Sequence, residues 1–272
     1  MSYALVTGAT KGIGKAIAEE LAARRYNLIL VGRTVDDLFA ISRNLERRYG
    51  IEALPLPIDL SLPDATEKIM ALTAPYHNQL NIVVNNAGYG INGAFDQIPL
   101  DDQLDIIDVN IKALVRLSHA YIPVLKKSKQ GYLLNVSSTT AYQTIPYFNV
   151  YASTKAFVLS FTRGLRHEFR GSNLSVSCLC PGSTDTDFVN RAGMSDNTKK
   201  LAARFNMTPQ IVAKAAVKGL FRGDSEIVPG FINKLTAILP KFFPKKLLEK
   251  IAGNIYEQKN ILAGTQSILA AS

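Results

Sequence analysis

Short apolar runs alternate along the chain with stretches whose apolar residues recur at helical spacing. Six such runs are Tyr3–Thr7, Asn27–Val31, Ala53–Ile58, Asn81–Asn85, Gly131–Ser137 and Ser175–Cys180. After the first run, Ile13, Ile17 and Leu21 would share one face of a helix. Continuous apolar strands that alternate with amphipathic helices are typical of a parallel sheet covered on both faces. The pattern predicts a doubly wound α/β fold of about seven strands, the last near Glu226–Val228, with ligands at the carboxyl ends of the strands.

The length of 272 residues fits one large domain with an appendage. No Pro/Gly/Ser-rich linker, repeat or low-complexity tract divides the chain, and 47% of its residues are hydrophobic against 19% charged. That balance is ordinary for a globular chain with ample core. We therefore predict one α/β domain over residues 1–230 and a C-terminal amphipathic helical extension over residues 231–272.

A glycine-rich turn follows the first predicted strand. Gly8, Gly12 and Gly14 stand in the sequence Thr-Gly-Ala-Thr-Lys-Gly-Ile-Gly, directly before a predicted helix. Glycines at such a turn let the chain bend tightly, approach a pyrophosphate and pack the helix close to the sheet. The opening N–H groups of the helix then face the phosphates. The position predicts the dinucleotide-binding turn of a Rossmann fold, with the spacing G-x-x-x-G-x-G in place of the more widespread G-x-G-x-x-G.

Four residues with catalytic chemistry lie further along the chain. Tyr151 and Lys155 are one helical turn apart, Ser138 comes thirteen residues before Tyr151, and Asn110 lies in the sequence Val-Asn-Ile. Together with the glycine spacing, they resemble the short-chain dehydrogenase/reductase (SDR) family in its shorter, single-domain branch, over nearly the whole length. A Tyr-x-x-x-Lys pair alone would be a weak signal, because the chain has eleven tyrosines. The joint occurrence of all four carries the resemblance.

The resemblance gives each of these residues a role in hydride transfer between a nicotinamide and a carbonyl carbon. Tyr151 would protonate the alkoxide, and the Lys155 ammonium would lower the pKa of Tyr151 by roughly one to three units while holding the nicotinamide ribose. Ser138 would hydrogen-bond to the carbonyl oxygen, and Asn110 would hold a water that joins Lys155 to solvent. Ser137 competes with Ser138, but the spacing favours Ser138 and leaves Ser137 a structural role.

Two cations stand where the cofactor type is decided. NAD-specific enzymes place an acidic residue after the second strand to bind the ribose 2′-hydroxyl, whereas this chain has Arg33 there and Lys11 in the glycine turn. The pair favours the 2′-phosphate of NADP(H); the alternative is two solvated surface charges. The residues that the resemblance assigns to cofactor binding are Gly8, Thr10, Lys11, Gly12, Ile13, Gly14, Arg33, Thr34, Asp59, Leu60, Asn86, Ala87, Gly88, Tyr151, Lys155, Pro181, Gly182, Thr184 and Thr186.

The net charge of +9 is concentrated in one part of the chain. Residues 199–259 carry 12 basic and 4 acidic side chains, whereas residues 1–198 carry 19 and 18. Without a run of like charges or a recognisable binding module, the excess does not predict a nucleic-acid partner. His77, His119 and His167 lack metal-ligand spacing, so no metal site is predicted.

Several features favour a cytoplasmic location. The chain begins without a sorting signal and has no apolar run long enough to span a membrane. Cys178 and Cys180 fall on one predicted strand, where we expect their side chains on opposite faces and poorly placed for a disulfide. Two buried thiols indicate a reducing compartment.

The last predicted helices are amphipathic and basic. Their apolar residues are Phe231, Ile232, Leu235, Ile238 and Leu239, then Leu247, Leu248, Ile251 and Ile255, with Lys234, Lys241, Lys245, Lys246 and Lys250 beside them. Such helices can lie on an anionic membrane as a peripheral contact, form a wall of the active site beside an acidic acyl carrier, or simply pack. All three alternatives stay open. This tail weakly resembles the 17β-hydroxysteroid dehydrogenase and 3-oxoacyl-CoA reductase subgroup of the family, which implies a lipophilic ketone.

The resulting expectation is an NADP(H)-dependent oxidoreductase that acts on CH–OH groups and interconverts a ketone and a secondary alcohol. The alternatives are a 3-oxoacyl thioester reductase and, outside enzymes, an NADP(H)-binding regulatory protein. By the resemblance, the segment from Thr184 to Met207 is a mobile lid, and the chain forms a homodimer or homotetramer. Tyr142 and Tyr147 are expected to line the pocket of a small-molecule substrate.

Overall fold

The computed structural model describes residues 1–257, so residues 258–272 of the predicted extension lie outside the described residues. Seven parallel strands form one sheet in the order β3-β2-β1-β4-β5-β6-β7. The strands are β1 Tyr3–Thr7, β2 Asn27–Gly32, β3 Ala53–Pro57, β4 Leu80–Asn85, β5 Gly131–Val136, β6 Leu174–Leu179 and β7 Glu226–Ile227. This confirms the predicted doubly wound Rossmann fold.

Helices cover both faces of the sheet. They are α1 Gly12–Ala23, α2 Val35–Tyr49, α3 Ala65–Thr73, α4 Leu100–Ile107, α5 Leu114–Leu125, α6 Asn149–Glu168, α7 Phe188–Arg191, α8 Asp196–Phe205, α9 Pro209–Arg222, α10 Phe231–Ile238 and α11 Lys245–Tyr256. Helices α1, α2 and α9 bury their apolar stripes in one core, and α3 and α5 bury theirs in the other. A π-helical turn, Asp108–Ala113, joins α4 to α5.

The central strands are apolar throughout because they feed both cores. In β1, Val6 enters the core under α1 while its neighbour Leu5 enters the core under α5. Successive side chains of a strand point to opposite faces, so a strand buried on both sides needs an apolar residue at each position. This explains why the strands could be recognised as continuous apolar runs.

The order of the strands reverses between β1 and β4, and this opens a crevice at their carboxyl ends. The hydroxyl of Thr7, the last residue of β1, donates to the Val84 carbonyl at 3.3 Å. The same hydroxyl accepts hydrogen bonds from the main-chain N–H groups of Asn86 and Ala87, at 2.9 and 3.0 Å. One side chain thus holds together the two strand ends that border the crevice.

The expectation that Cys178 and Cys180 point to opposite faces is wrong. The Sγ atoms of Cys178 and Cys180 are 3.7 Å apart, in one buried cluster with Leu159. Residues two apart in a strand share a face, because the side-chain period is two. Both cysteines are free thiols.

The C-terminal extension is helical, as predicted, where the structure describes it. Helix α10 buries Asn233 and Ala237, and α11 buries only Ala252. Within residues 1–257, no helix combines the length and the apolar character needed to cross a bilayer.

Candidate active site

The glycine turn between β1 and α1 is shaped by close backbone approaches. Gly8 and Gly12 have φ angles of +63° and +55°, in the region that favours glycine. A Cβ on Gly14 would lie 2.2 Å from the carbonyl oxygen of Gly8. Helix α1 begins without a side-chain cap, so the N–H groups of its first turn have no partner of that kind. Such a turn suits the pyrophosphate of a dinucleotide.

The side chain of Asn86 holds this turn from the neighbouring strand. Its Nδ2 donates to the carbonyls of Thr7 and Gly8, at 2.9 and 3.2 Å. A Cβ on Gly14 would lie 2.3 Å from the same Nδ2. The main-chain N–H groups of Asn86 and Ala87 are already bonded to Thr7, which leaves the carbonyls and the Gly88 backbone for a ribose.

Asn85 has a structural role. Its Nδ2 donates to Ser118 Oγ at 3.1 Å and to Asn135 Oδ1 at 2.9 Å. Asn135 in turn donates to Thr162 Oγ1 at 3.0 Å. This buried chain ties β4 to β5 and to the helices that pack on them.

Arg33 lies at the carboxyl end of β2 with its guanidinium exposed. Nη1 is 3.8 Å from Asp59 Oδ2, and both side chains are more than a third exposed, so the attraction between them is weak. Asp59 also accepts two hydrogen bonds from Ser61. Lys11 is exposed at the start of α1. Both cations therefore remain available to an anion.

Other predicted cofactor residues surround the same crevice. Thr10 lies against Gly32, where an added Cβ would be 3.0 Å from its methyl group, and Thr34 immediately precedes α2. Ile13 is half-buried against the core under α1, and Leu60 against the opposite core.

The segment after β6 lies against the glycine turn. A Cβ on Gly12 would be 2.9 Å from the methyl group of Thr186, and Thr184 is buried in a bridge to Met207. The Pro181 carbonyl accepts from the N–H of Thr139 at 2.9 Å.

The need for glycine at position 182 is steric, and it could not be predicted from the sequence. A Cβ there would lie 2.1 Å from Oδ1 of Asn233, on α10. The glycine therefore lets the C-terminal extension pack directly beside the predicted nicotinamide segment.

Ser138 and Tyr151 meet at the carboxyl end of β5. The Ser138 hydroxyl accepts from the N–H of Thr140 at 3.1 Å. It is near enough to the Tyr151 hydroxyl to lower the pKa of that group. The hydroxyl of Ser137 points elsewhere and donates to the Lys155 carbonyl at 2.7 Å. Of the two serines, Ser138 is the one placed to share a ligand with Tyr151.

The pKa of Tyr151 differs from the expectation. Burial raises it well above its usual range, and only the hydrogen bond from Ser138 opposes this shift. The Lys155 Nζ lies 5.6 Å from the centroid of the tyrosine ring and donates to the Val136 carbonyl at 3.0 Å. Burial lowers the pKa of Lys155 itself to about 8. Burial is the largest cause of both shifts, so the predicted lowering of the pKa of Tyr151 is wrong.

Asn110 is buried in the π-helical turn, a local distortion that is frequent at functional sites. Its side chain donates to the Tyr89 carbonyl at 3.0 Å and to Thr154 Oγ1 at 2.9 Å, and it accepts from the Tyr89 N–H at 3.1 Å. A Cβ on Gly88 would meet both Asn110 Oδ1 and Lys155 Nζ. The side chain is committed to the loop after β4, and the water-holding role stays a prediction.

Aromatic rings enclose Tyr151. The Phe148 ring lies 4.4 Å from that of Tyr151 and 5.8 Å from that of Tyr256, nearly parallel to the latter. Phe188, from the predicted lid, lies 5.2 Å from Tyr151 on another side. A Cβ on Gly90 would come within 2.8 Å of both Tyr151 and Phe148.

The sequence analysis did not identify Gly90, Phe148 or Tyr256 as members of this cluster. Phe148 could have been found from its position three residues before Tyr151 at the start of a helix, where such side chains are neighbours. Nothing local connects Tyr256 to a residue more than a hundred positions earlier.

Asn92 fastens the end of α11 over the site. Its Nδ2 donates to the carbonyls of Tyr147 and Tyr256, at 2.8 and 3.0 Å. The hydroxyl of Thr198, on α8, donates to the Ile255 carbonyl at 2.7 Å. Four segments distant in sequence thus meet beside Tyr151. Residues 89–98, 143–148, 186–205 and 245–257 are called the substrate cover below.

The two tyrosines expected in the pocket have different surroundings. Tyr142 donates to Glu226 Oε2 at 2.6 Å and packs on the two cysteines. Tyr147 has a φ of +61° and donates to Glu257 at 3.3 Å.

Two surface clefts flank helix α6. One of about 330 Å³ lies between Tyr142, the first turns of α6, and Lys245 and Leu248 of the extension. The other, about 420 Å³, is lined by Arg163, Arg166 and their neighbours at the amino ends of the strands, away from Tyr151. Only the first adjoins the aromatic cluster.

Comparison with known proteins supports the assignment of the fold and family. Residues 2–197 match the family profile described as short chain dehydrogenase. Very-long-chain 3-oxoacyl-CoA reductase of Mus musculus is 33% identical over 183 residues, which are 66% of this chain but only 58% of the mouse protein. A 7β-hydroxysteroid dehydrogenase structure superimposes with a TM-score of 0.84 at 25% identity, covering 93% of this chain and 96% of that one. A short-chain dehydrogenase from Sphingobium yanoikuyae in complex with NADPH gives a TM-score of 0.76 at 25% identity, covering 100% and 96%. The chain therefore belongs to the short-chain dehydrogenase/reductase family of oxidoreductases.

Proposed function

We propose that the protein is an NADP(H)-dependent oxidoreductase that interconverts a lipophilic ketone and a secondary alcohol. The observation that carries the proposal is the meeting of Ser138, Tyr151 and Lys155 at the carboxyl end of β5, beside a glycine turn suited to a pyrophosphate. Each of the three side chains is buried by at least nine-tenths of its residue surface. A polar group kept out of water at that cost is a candidate for chemistry.

The choice of NADP(H) rests on Arg33 and Lys11. Both are exposed beside the crevice, and no acidic side chain ends β2. Arg33 can bind a 2′-phosphate through two parallel hydrogen bonds, and Lys11 adds a second positive charge. The Sphingobium yanoikuyae relative was captured with NADPH, which agrees with this choice.

The bound cofactor supplies the hydride for carbonyl reduction. The Ser138 hydroxyl donates to the carbonyl oxygen and, with Tyr151, holds it in place. The Tyr151 hydroxyl then gives its proton to the oxygen as negative charge develops there. Because burial keeps the pKa of Tyr151 high, the phenol stays protonated and ready to act as the acid. Lys155, at the other end of the same helical turn, holds the cofactor ribose and stabilises the phenolate once the proton has left.

A lipophilic substrate is supported by the surroundings of Tyr151. The cluster around it contains Ile145, Phe148, Ala192, Met194 and Ala252, with Phe188, Val189 and Tyr256 packed against it. Binding sites lined with apolar and aromatic side chains favour substrates that are themselves apolar.

A 3-oxoacyl thioester is the second candidate substrate. The mouse relative carries this activity in its name, although the alignment covers little more than half of that protein. The 330 Å³ cleft beside the cluster, with Lys245 at its edge, offers room for an extended anionic group. A regulator that binds NADP(H) without turnover is the alternative outside enzymes.

We further propose a homodimer or homotetramer, a catalytic domain over residues 1–230 and a reducing, cytoplasmic location. The stacked rings of Phe157 and Phe161 on the outer side of α6, with Phe157 40% exposed, support self-association there. Two buried thiols without a disulfide support the reducing compartment.

The decisive experiment follows NADPH oxidation by absorbance with aliphatic and aromatic ketones, steroid ketones and 3-oxoacyl thioesters. We expect turnover with apolar ketones at a rate that rises with the apolar surface of the substrate. Turnover confined to thioesters would establish the second candidate. Tight NADPH binding without oxidation by any member of the panel would overturn the enzymatic proposal in favour of a regulator.

A further inference from the structure

Helices α10 and α11 and their connection turn large apolar side chains away from the rest of the protein. The outward residues are Phe231, Ile232, Leu235, Ile238, Leu239, Phe242, Phe243, Leu247 and Ile251, each between 40 and 77% exposed. In exchange, α10 buries only Asn233 and Ala237. A helix of a globular protein normally buries its apolar stripe, so this orientation is reversed. We call these nine residues the C-terminal apolar face.

Positive charge borders the C-terminal apolar face. Lys234, Lys245, Lys246 and Lys250 are all exposed. The single acidic residue between positions 231 and 251 is Glu249, which is half-buried. The surface therefore combines a broad apolar patch with ammonium groups, the composition that suits the boundary between lipid headgroups and acyl chains.

We propose that the C-terminal apolar face docks on a bilayer that contains anionic phospholipids. The phenylalanine, leucine and isoleucine side chains enter the acyl boundary, while the lysines contact the phosphates. Helices α10 and α11 have 8 and 12 residues, and are therefore about 12 and 18 Å long. Both are shorter than the roughly 30 Å hydrocarbon core, so they lie along the surface.

Charge argues for lipid over a second copy of the chain. Two copies that met through this face would bring eight lysine ammonium groups together with few carboxylates between them. Like charges across an interface oppose association. An anionic lipid surface instead provides a counter-charge for each lysine.

The opposite side of α11 covers the active site. Tyr256 stacks on Phe148, and a Cβ on Gly253 would touch Pro146. Docking would therefore place the substrate cover at the lipid surface. The docking itself requires no turnover, so its test is independent of the proposed activity.

The test is sedimentation of the full-length protein with vesicles, without substrate. One set is phosphatidylcholine alone, and the other contains about 30 mol % phosphatidylserine. We expect a partition coefficient at least about tenfold higher on the anionic vesicles, falling as salt screens the lysines.

Two variants probe the face, each with a matched control. Replacing Leu235, Ile238 and Phe242 by serine removes exposed apolar groups, and the same change at Leu62, Leu72 and Phe39 is the control. The charge variant is Lys245→Glu with Lys246→Glu, and its control is Arg43→Glu with Arg47→Glu on α2. We expect each face variant to lose at least about tenfold in partitioning to anionic vesicles, with the controls unchanged. Melting temperature and NADPH binding verify that every variant is folded.

Three results would overturn the proposal. The first is equal sedimentation of the face variants and their controls. The second is a concentration-dependent dimer that the serine variant abolishes, without vesicle binding by the parent. The third is vesicle binding that appears only after removal of residues 258–272, which would show that this segment occupies the face.

Discussion

The cofactor crevice and the substrate cover are built by different means. The crevice depends on main-chain approaches that exclude a Cβ, with Asn86 and Thr7 fastening the turn. The cover depends on aromatic side chains and on a few side-chain donors, Asn92 and Thr198, that reach carbonyls far away in sequence. The crevice is strict about main-chain volume, whereas the cover is assembled from the side chains of four separate segments.

This difference predicts which substitutions each region tolerates. A glycine turn in which a side chain would collide with the backbone tolerates few substitutions. Rings that pack on one another can be exchanged for others of similar volume at modest cost. Cofactor binding and substrate choice should therefore respond to separate sets of mutations, with Tyr151 between them.

The largest effect is expected where the two regions meet. Replacing Tyr151 by phenylalanine keeps the ring packed on Phe148 but removes the proton donor, so kcat should fall roughly 10²- to 10⁴-fold. The dissociation constant of NADPH, measured by fluorescence, should stay within about twofold of the parent because the crevice is unaltered. Tyr142→Phe is the control, since that hydroxyl is bonded to Glu226. Near-normal turnover by Tyr151→Phe would remove Tyr151 from the mechanism.

The second-largest effect is expected when the positive charge beside the cofactor crevice is reversed. Arg33→Asp should shift the ratio of kcat/KM for NADPH to that for NADH by roughly 100-fold towards NADH, since a charge-assisted contact is replaced by repulsion. The KM of the ketone should not change. Arg33→Lys, which keeps the charge, should retain a preference for NADPH, and an unaltered preference in Arg33→Asp would contradict the assignment.

The third effect is expected when a side-chain carbon is added to the glycine turn of the crevice. Gly14→Ala places a Cβ 2.2 Å from the Gly8 carbonyl oxygen, so the free energy of unfolding in urea should fall by about 1–3 kcal/mol and NADPH binding should weaken. Gly164→Ala is the matched control, because nothing lies within 4 Å of its added Cβ. In the middle of α6 that control should gain up to about 1 kcal/mol. Equal free energies of unfolding for Gly14→Ala and the parent would show that the turn tolerates a Cβ at position 14.

The fourth effect is a pH dependence that arises at Lys155. Burial lowers its pKa to about 8, so the ammonium is present below that pH and is lost above it. Because kcat/KM for NADPH reports the free enzyme, it should be level up to about pH 7 and fall about fivefold between pH 8 and 9. In Lys155→Arg the guanidinium stays charged, so the residual kcat/KM should not fall between pH 8 and 9. A level profile through pH 10 in the parent would refute this ionisation.

The smallest effect tests the cover. Tyr256→Ala removes the ring stacked on Phe148 and should raise the KM of an apolar ketone about two- to tenfold. The dissociation constant of NADPH should not move. Tyr256→Phe should behave like the parent, and Asn254→Ala, exposed on the same helix, is the control. A loss of NADPH affinity in Tyr256→Ala would show that crevice and cover are not separate.

The contrast between crevice and cover also explains which features could be predicted from the sequence. The strands were recognisable because burial on both faces requires continuous apolar residues, as in β1. The glycine turn and the residues Asn110, Ser138, Tyr151 and Lys155 could be named from the sequence because their joint spacing resembles that of the family. The cover was not, since Asn92 and Tyr256 are 164 positions apart and no periodicity links them. The pKa of Tyr151 was misjudged because its burial depends on Gly90 and Phe148, whose contacts are tertiary.

The two hydrogen bonds that Asn92 donates, to the carbonyls of Tyr147 and Tyr256, limit which segments of this protein can be exchanged with those of its relatives. In a chimera that receives the last helix of another member, that helix keeps its position over the site only if residue 92 can still donate to both carbonyls. Grafting the loop after β4 together with the helix keeps the Asn92 donor and its helix acceptor from one protein, whereas exchanging the helix by itself tests whether the carbonyl at position 256 stays within reach.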